Sequence, residues 1–466
     1  MKRNLILLAV CVLIALFYFW DTERVEKQEE QEEKEKILIA LDEEEVKEVT
    51  IHRPQTVLKG VKEGEQWKLV EPLQAKGDAS TWNNIAQTIA GGKRERVIEE
   101  QPEDLSIFGL ADSSLQVTLA GIDGATATTL VFGKETPVSG KYYAMIEGTS
   151  DVVTVPSYWQ NISSKNLYDL RDKTILELET DQVQKVEIAH ATHVIALERQ
   201  NEKDWVLTKP VQAHAQESAV RELVNKLKNG KIKQFIEEKP DIPAVYGMDK
   251  PKYILTFWQG DDPTANLSAQ TLIIGSTSEE TDNYYAKHGS KENIFAIEPD
   301  VLEKVPQSVE NLRLKKLTSI RSWETRYVKV VSAGETIIEA TKPEGEWTLL
   351  QPKEGKADYN AMSTAVRSIV DLEAKQFADG QVDFSQPNIS IELKSEEQSL
   401  SIPIVIQDAT GETKHYFAQR KDPIEVLQLS SADIENMLAD LRNVELDATE
   451  EPTPTPEVTS QGTDNE

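Results

Sequence analysis

Apolar residues fall at helical spacing in three places, and each place follows the same short box. Trp82, Ile85, Ala86 and Ile89 keep the i, i+3, i+4, i+7 rhythm that lines one helix face. Val220, Leu223, Val224 and Leu227 repeat it, as do Met362, Ala365, Val366 and Ile369. Upstream stand Trp67-Lys-Leu-Val-Glu-Pro72, Trp205-Val-Leu-Thr-Lys-Pro210 and Trp347-Thr-Leu-Leu-Gln-Pro352. The boxes lie 138 residues apart (67 to 205) and then 142 (205 to 347). A period of that size predicts a tandem array of like folding units rather than one large enzyme fold. Asp78 and Asp358 stand as N-caps before their helices, where a carboxylate accepts an orphan backbone N–H. Gln216 holds the middle position and is a poorer cap.

The register runs on through the copies. Phe108-Gly109-Leu110 returns as Tyr246-Gly247-Met248, 138 residues later. Gly133 and Gly275, Tyr142-Tyr143 and Tyr284-Tyr285, and Leu170-Arg171 and Leu312-Arg313 are each 142 apart. The four extra residues between Gly247 and Gly275 fit a longer hairpin loop at 259–266. The third copy is degenerate. It keeps an aromatic pair, Tyr416-Phe417, and a Leu441-Arg442, but has no counterpart of either glycine. Terminal members of arrays are often atypical because one face meets solvent.

Between these anchors the chain reads mostly as strand. Val46-Lys-Glu-Val-Thr-Ile51, Leu115-Gln-Val-Thr-Leu119 and Asp151-Val-Val-Thr-Val155 alternate and are rich in β-branched residues. The expected class is α+β: three tandem repeats, each an antiparallel meander sheet with one main helix and a shorter second helix near 157–162. The expected organisation is a transmembrane signal anchor (1–20), a charged helical stalk (21–36), repeats at 37–176, 177–318 and 319–446, and a disordered acidic tail (447–466).

The amino end sets the expected compartment. Lys2 and Arg3 precede an uncharged run from Leu5 to Trp20, which Asp21 ends. Sixteen helical residues at about 1.5 Å each span roughly 24 Å, short of a hydrocarbon core of about 30 Å but within what flanking residues and local thinning accommodate. Phe17-Tyr-Phe-Trp20 offers no small-residue cleavage site, and Val10 before Cys11 does not suit a lipoprotein signal. The expectation is an uncleaved anchor in the inner membrane, with the amino terminus in the cytoplasm and the bulk of the chain periplasmic or extracytoplasmic. Cys11 is the only cysteine, so no disulfide framework or thiolate metal site is expected beyond it.

The net charge is −29. The stalk carries −4, the tail −6 and the first residues +2, which leaves −21 on the repeats. Such acidity disfavours nucleic acid as a partner. Catalytic motifs are missing: there is no nucleophile elbow, phosphate loop or dinucleotide glycine pattern. His190 and His193 form a His-x-x-His that reads as a turn between strands, hence as surface histidines; no metal or cofactor is expected.

The repeated residues divide into two groups. Trp67, Pro72, Gly109, Gly133, Trp205, Pro210, Gly247, Gly275, Trp347 and Pro352 define the repeat and read as structural, the tryptophans plugging a core. In Tyr142-Tyr143, Tyr284-Tyr285 and Tyr416-Phe417, adjacent strand residues point to opposite faces, so the outer ring of each pair is a candidate ligand or partner contact. The Leu-Arg closures are expected to finish a helix in solvent, the alternative being ion pairs that fix successive repeats.

The order of these motifs, from Val46 to Leu446, resembles the domain of unknown function 4340 family. The resemblance implies a bacterial envelope protein held by one amino-terminal membrane helix and associated with ABC-type transport components; it supplies no catalytic residues. The expected function is a non-enzymatic, membrane-anchored scaffold or accessory subunit of an envelope or transport complex. The alternatives are a binding module for envelope glycans or peptides and, behind that, an unrecognised hydrolase.

Overall fold

The alternating segments assemble into three sheets of nine strands, all with one strand order. The computed structural model describes residues 36–446 except 40, 122–126, 139, 202–203, 263–265, 379–380, 409–413 and 422, together with Tyr18, Trp20, Thr22 and Arg24. In the first repeat the strands are β1 (Glu48–Arg53), β2 (Thr56–Glu63), β3 (Gln66–Glu71), β4 (Ala75–Lys76), β5 (Arg96–Glu99), β6 (Leu115–Ala120), β7 (Thr128–Glu135), β8 (Lys141–Ile146) and β9 (Val152–Pro156). Across the sheet they run β4-β3-β2-β1-β6-β7-β8-β9-β5, all antiparallel. The same order recurs in the second and third repeats.

These sheets correct the expected α+β class with its amino-terminal transmembrane helix. The described chain is mostly β, with few helices, and no helix among the described residues is long and apolar enough to cross a membrane. Three strands of the first sheet escape a pattern search for a physical reason. Thr-Val-Leu-Lys-Gly-Val-Lys-Glu of β2 is half exposed, β4 has two residues, and Arg-Val-Ile-Glu of the edge strand β5 buries none of its side chains fully. The predicted anchor, stalk and tail lie almost wholly outside the described residues.

The main helix α1 (Ala79–Ile89) leaves β4 at one edge and delivers the chain to β5 at the other, so it crosses the sheet. Its predicted face, Trp82, Ile85, Ala86 and Ile89, is buried and joins Val49, Ile51, Val117, Leu119 and Leu130 in one core. Asp78 caps the helix by accepting from Thr81 N at 2.8 Å. Trp67 stacks on Trp82 with ring centroids 5.6 Å apart, and Trp82 donates to Leu170 O at 2.9 Å. That second ring needs room. A Cβ on Gly60 or Gly77 would sit 2.8–2.9 Å from the Trp82 indole. Where Val220 and Met362 replace Trp82, the position of Gly77 is held by Ala215 and Ala357.

Each repeat closes its own core: the clusters hold residues 39–170, 175–312 and 317–441 without mixing. Trp67, Trp205 and Trp347 are 1%, 2% and 3% exposed, core residues in all three. The peptide bonds before Pro72, Pro210 and Pro352 are all cis. The chain divides into two compact units, residues 1–173 and 174–466, so the second and third repeats belong to one unit.

Candidate functional site at the joint of the second and third repeats

The repeated glycines work as a pair. Gly109 and Gly247 end short 3-10 turns at φ 69° and 75°, a backbone region favouring glycine. Each turn lies against the strand glycine of its own repeat: a Cβ on Gly133 would collide with Phe108 O, and one on Gly275 with Tyr246 O. The strand bulges there in both copies, with register shifts between Phe132 and Glu135 and between Ile274 and Thr277.

This turn also settles where the paired rings go. Tyr142 packs on the main core, while Tyr143, on the other face, meets Phe108 edge-on at 5.0 Å. Tyr284 packs on the second core, and Tyr285 meets Tyr246 edge-on, also at 5.0 Å. Tyr416 is buried and the other five rings, Phe417 among them, are half-buried, the outer ring of each of the first two repeats lying against the aromatic of its 3-10 turn.

His190 and His193 are half-buried rather than superficial: their rings stack with centroids 4.2 Å apart, and Tyr253 stands edge-on to His190. Burial and the neighbouring His193 hold the His190 pKa below the usual histidine value. Among the described residues no group of three His, Cys, Asp or Glu is placed to hold a metal.

The Leu-Arg closure does more than end a helix in solvent. Arg171 bridges Gly77 in the first repeat, and Arg313 bridges Ala215 in the second. Three residues beyond Arg313, Lys316 bridges Glu373 of the third repeat, so the link between these two repeats is pinned at both ends. The third repeat is closed not by Leu441-Arg442, which ends the helix Ser431–Arg442, but by Leu446, which bridges Ala357.

Against this link rests a hairpin of the third repeat, and its last rung pairs Arg420 with Glu425. The Glu425 side chain is 1% exposed and spans both repeats. It accepts from Arg313 Nη2 at 3.0 Å, from Arg420 Nη2 at 2.8 Å, and from His214 N and Nδ1 at 2.9 and 2.8 Å. A carboxylate only accepts, so His214 Nδ1 carries a hydrogen. Arg420 also donates to Lys316 O at 2.7 Å and Leu314 O at 2.8 Å, and Arg313 lies 3.5 Å from the centroid of Phe377. Burial pushes the Glu425 carboxyl up. The His214 hydrogen bonds, the Arg420 charge and Arg313 together outweigh it and hold the pKa below the usual value. Burial, then the like charge of Arg313, lowers the Arg420 pKa against the pull of Glu425.

A second contact crosses the same joint: Gln398 of the third repeat donates to Asp204 of the second at 2.8 Å. Asp204 and His214 both line a groove of about 460 Å³, which thus runs between the two cross-repeat contacts. Sequence reasoning missed this site. Its one available signal lies in aligning the copies: Arg420 and Glu425 stand where the second repeat has His288 and Asn293, by the rungs Tyr416–Leu429 and Tyr284–Ile297.

Comparison with curated proteins gave no match. Among solved structures, the chain is similar to the DNA polymerase III subunit beta from Pseudomonas aeruginosa, at 9% identity over 83% of this chain and 92% of that one, with a TM-score of 0.15. It is likewise similar to a DnaN sliding clamp from the same organism bound to griselimycin, at 8% identity over 83% and 91%, also with a TM-score of 0.15. Scores that low bear on neither fold nor function. A family model does match. It begins at Trp67 and again at Trp205, out of phase with the sheets, and takes in residues 67–204 and 205–389. With more than half its length matched, the chain belongs to the family described as a domain of unknown function, DUF4340.

Proposed function

We propose that this protein is a non-enzymatic extracytoplasmic scaffold, an accessory subunit of an envelope or ABC-type transport complex. The observation that carries the reading is the joint between the second and third repeats. Two repeats of one compact unit, with separate cores, are linked by a segment bridged on both sides and keyed by a buried carboxylate between two guanidinium groups. A fixed angle between serial units suits a part that holds others at a set separation. The repeated aromatics support the same reading, since they are used in packing rather than presented to a ligand.

The compartment rests on sequence alone: the uncharged run from Leu5 to Trp20 behind Lys2 and Arg3 favours membrane association with the repeats outside. Affinity purification of the full chain from membranes in mild detergent tests the reading. Co-purification of a membrane protein at fixed stoichiometry is expected. Recovery of a lone chain under several detergents, or protease protection placing the repeats in the cytoplasm, overturns it.

A further inference from the structure

Internal copies allow a comparison of positions within one chain. Two departures from the shared pattern, neither of them at a buried core position, meet at one place. The helix cap is Asp78 in the first repeat and Asp358 in the third, each accepting from a first-turn N–H. In the second it is Gln216, which makes no cap bond and instead donates to Ser218 Oγ at 2.9 Å. Trp323 of the third repeat stands where the second has Asp181, 142 residues earlier. It is 64% exposed, with the Arg321 guanidinium 5.3 Å from its ring centroid. Both Gln216 and Trp323 line the groove of about 460 Å³ between the second and third repeats.

We propose that this groove binds a neutral oligosaccharide. Its size lies within the roughly 300–1,000 Å³ of ligand sites. Its character departs from the usual apolar pocket. Gln216, Ser218 and Ser322 place amide and hydroxyl groups along the walls, and four carboxylates there are nearly balanced by Lys315, Lys316 and Arg321, a mixture that exchanges hydrogen bonds with ring hydroxyls in both directions. Trp323 supplies the broad apolar face on which the C–H side of a pyranose rests. An extended peptide added as a strand calls for a free sheet edge, and a helical one for a row of apolar pockets. Here the nearby edge residue Ala215 is already bridged by Arg313, and Ile320 and Val370 are among the few aliphatic lining residues. The Glu425 and Asp204 contacts hold the two walls at a fixed spacing, which lowers the ordering cost of binding.

Calorimetric titration of the full chain with soluble neutral tetrasaccharides tests this: β-1,4-linked glucose, β-1,4-linked N-acetylglucosamine and α-1,4-linked glucose. Saturable binding of at least one, at one site per chain, is expected. Trp323→Ala should weaken it at least tenfold and Gln216→Ala by a smaller factor, with unchanged circular dichroism. Tyr359→Ala, exposed outside the groove, should bind as the parent does. No saturation by any of the three, parent-like affinity of Trp323→Ala, or Trp323-dependent binding of a random peptide pool in their place would each overturn the proposal. The titration needs no protein partner, so its failure is separable from failure of the scaffold reading.

Discussion

The second and third repeats share a strand order and differ at equivalent places in the sheet. In the second, Gly275 lets the Tyr246 turn lie on the strand, the strand bulges, and Tyr285 is covered. In the third, Val405 holds that position, the register runs unbroken from Ile404–Ala418 to Asp408–Lys414, and no such turn is present among the described residues. The neighbouring hairpin has instead gained Arg420 and Glu425, which reach the second repeat. The third copy also has a twelve-residue second helix whose Ile434, Met437 and Leu441 extend the core, where the second has the two short 3-10 turns Pro299–Leu302 and Val309–Asn311. The difference teaches that the repeats keep what fills the core beneath the main helix and diverge where they meet a neighbour. The third copy is therefore adapted to its place at the joint rather than simply decayed.

The largest expected effect comes from removing the key. Glu425→Ala leaves two guanidinium groups in a site where Arg420 is 5% exposed and Arg313 12%. Breaking a buried pair by deleting one partner costs about 3–5 kcal/mol. Urea unfolding of the full chain, followed by tryptophan fluorescence, should show that loss in the transition of residues 174–466. The paired change Glu425→Leu with Arg420→Met should recover part of it, because the more deeply buried guanidinium goes with its partner, while Arg313 keeps only the Glu310 carboxylate, at 3.5 Å. A loss below about 1 kcal/mol would mean that the third repeat is not keyed to the second.

Acid should act on the same group. The folded-state pKa of Glu425 is depressed, so its contribution is fully present above the ordinary carboxylate range and is lost as pH falls through the folded value. Parent and Glu425→Gln should therefore differ most in unfolding midpoint near neutral pH and converge at acid pH below that range. A difference that grew on acidification would contradict the assignment.

Much of this comparison could be read in the chain, and the unread part has a physical pattern. The tryptophan boxes, the helix faces and the caps at Asp78 and Asp358 were legible because each is a local, periodic signal tied to a core position. The paired glycines were legible as a repeat, although their purpose, backbone lying on backbone, needs coordinates. The full sheets were not, because β2 mixes charges into a half-exposed strand and the edge strands are only a few residues long. The register of the third copy was misread at its end, where Leu441 belongs to a helix and Leu446 makes the closing bridge. Glu425 was invisible for another reason: among 80 acidic residues nothing local marks the one that packs against two distant arginines.

A smaller effect sharpens the contrast at the corner. Gly275→Ala forces a methyl group into the Tyr246 carbonyl, and overpacking of this kind typically costs about 1–3 kcal/mol. Gly133→Ala should behave alike, since its Cβ meets Phe108 O in the same way. At the third corner Val405 already carries a larger side chain without a bulge, so Val405→Ala removes only its outer methyl groups and introduces no clash. Unfolding midpoints of the three variants should separate the two glycine positions from the valine by the sign of the steric change. Equal tolerance of alanine at Gly275 and Gly133 would remove the close approach as the reason these glycines recur.

The smallest effect runs in the stabilising direction. Gln216 is the only one of the three main-helix caps that makes no side-chain bond to the first turn. Gln216→Asp gives the second repeat the cap that Asp78 and Asp358 give the others, and a good cap contributes about 1 kcal/mol. The same change replaces an amide, able to donate and accept, with a carboxylate that only accepts. A rise in the urea midpoint together with weaker tetrasaccharide binding would tie the lost cap to the groove. A rise with undiminished binding would leave Gln216 as plain drift from the pattern, and Trp323 alone would then have to carry the comparison.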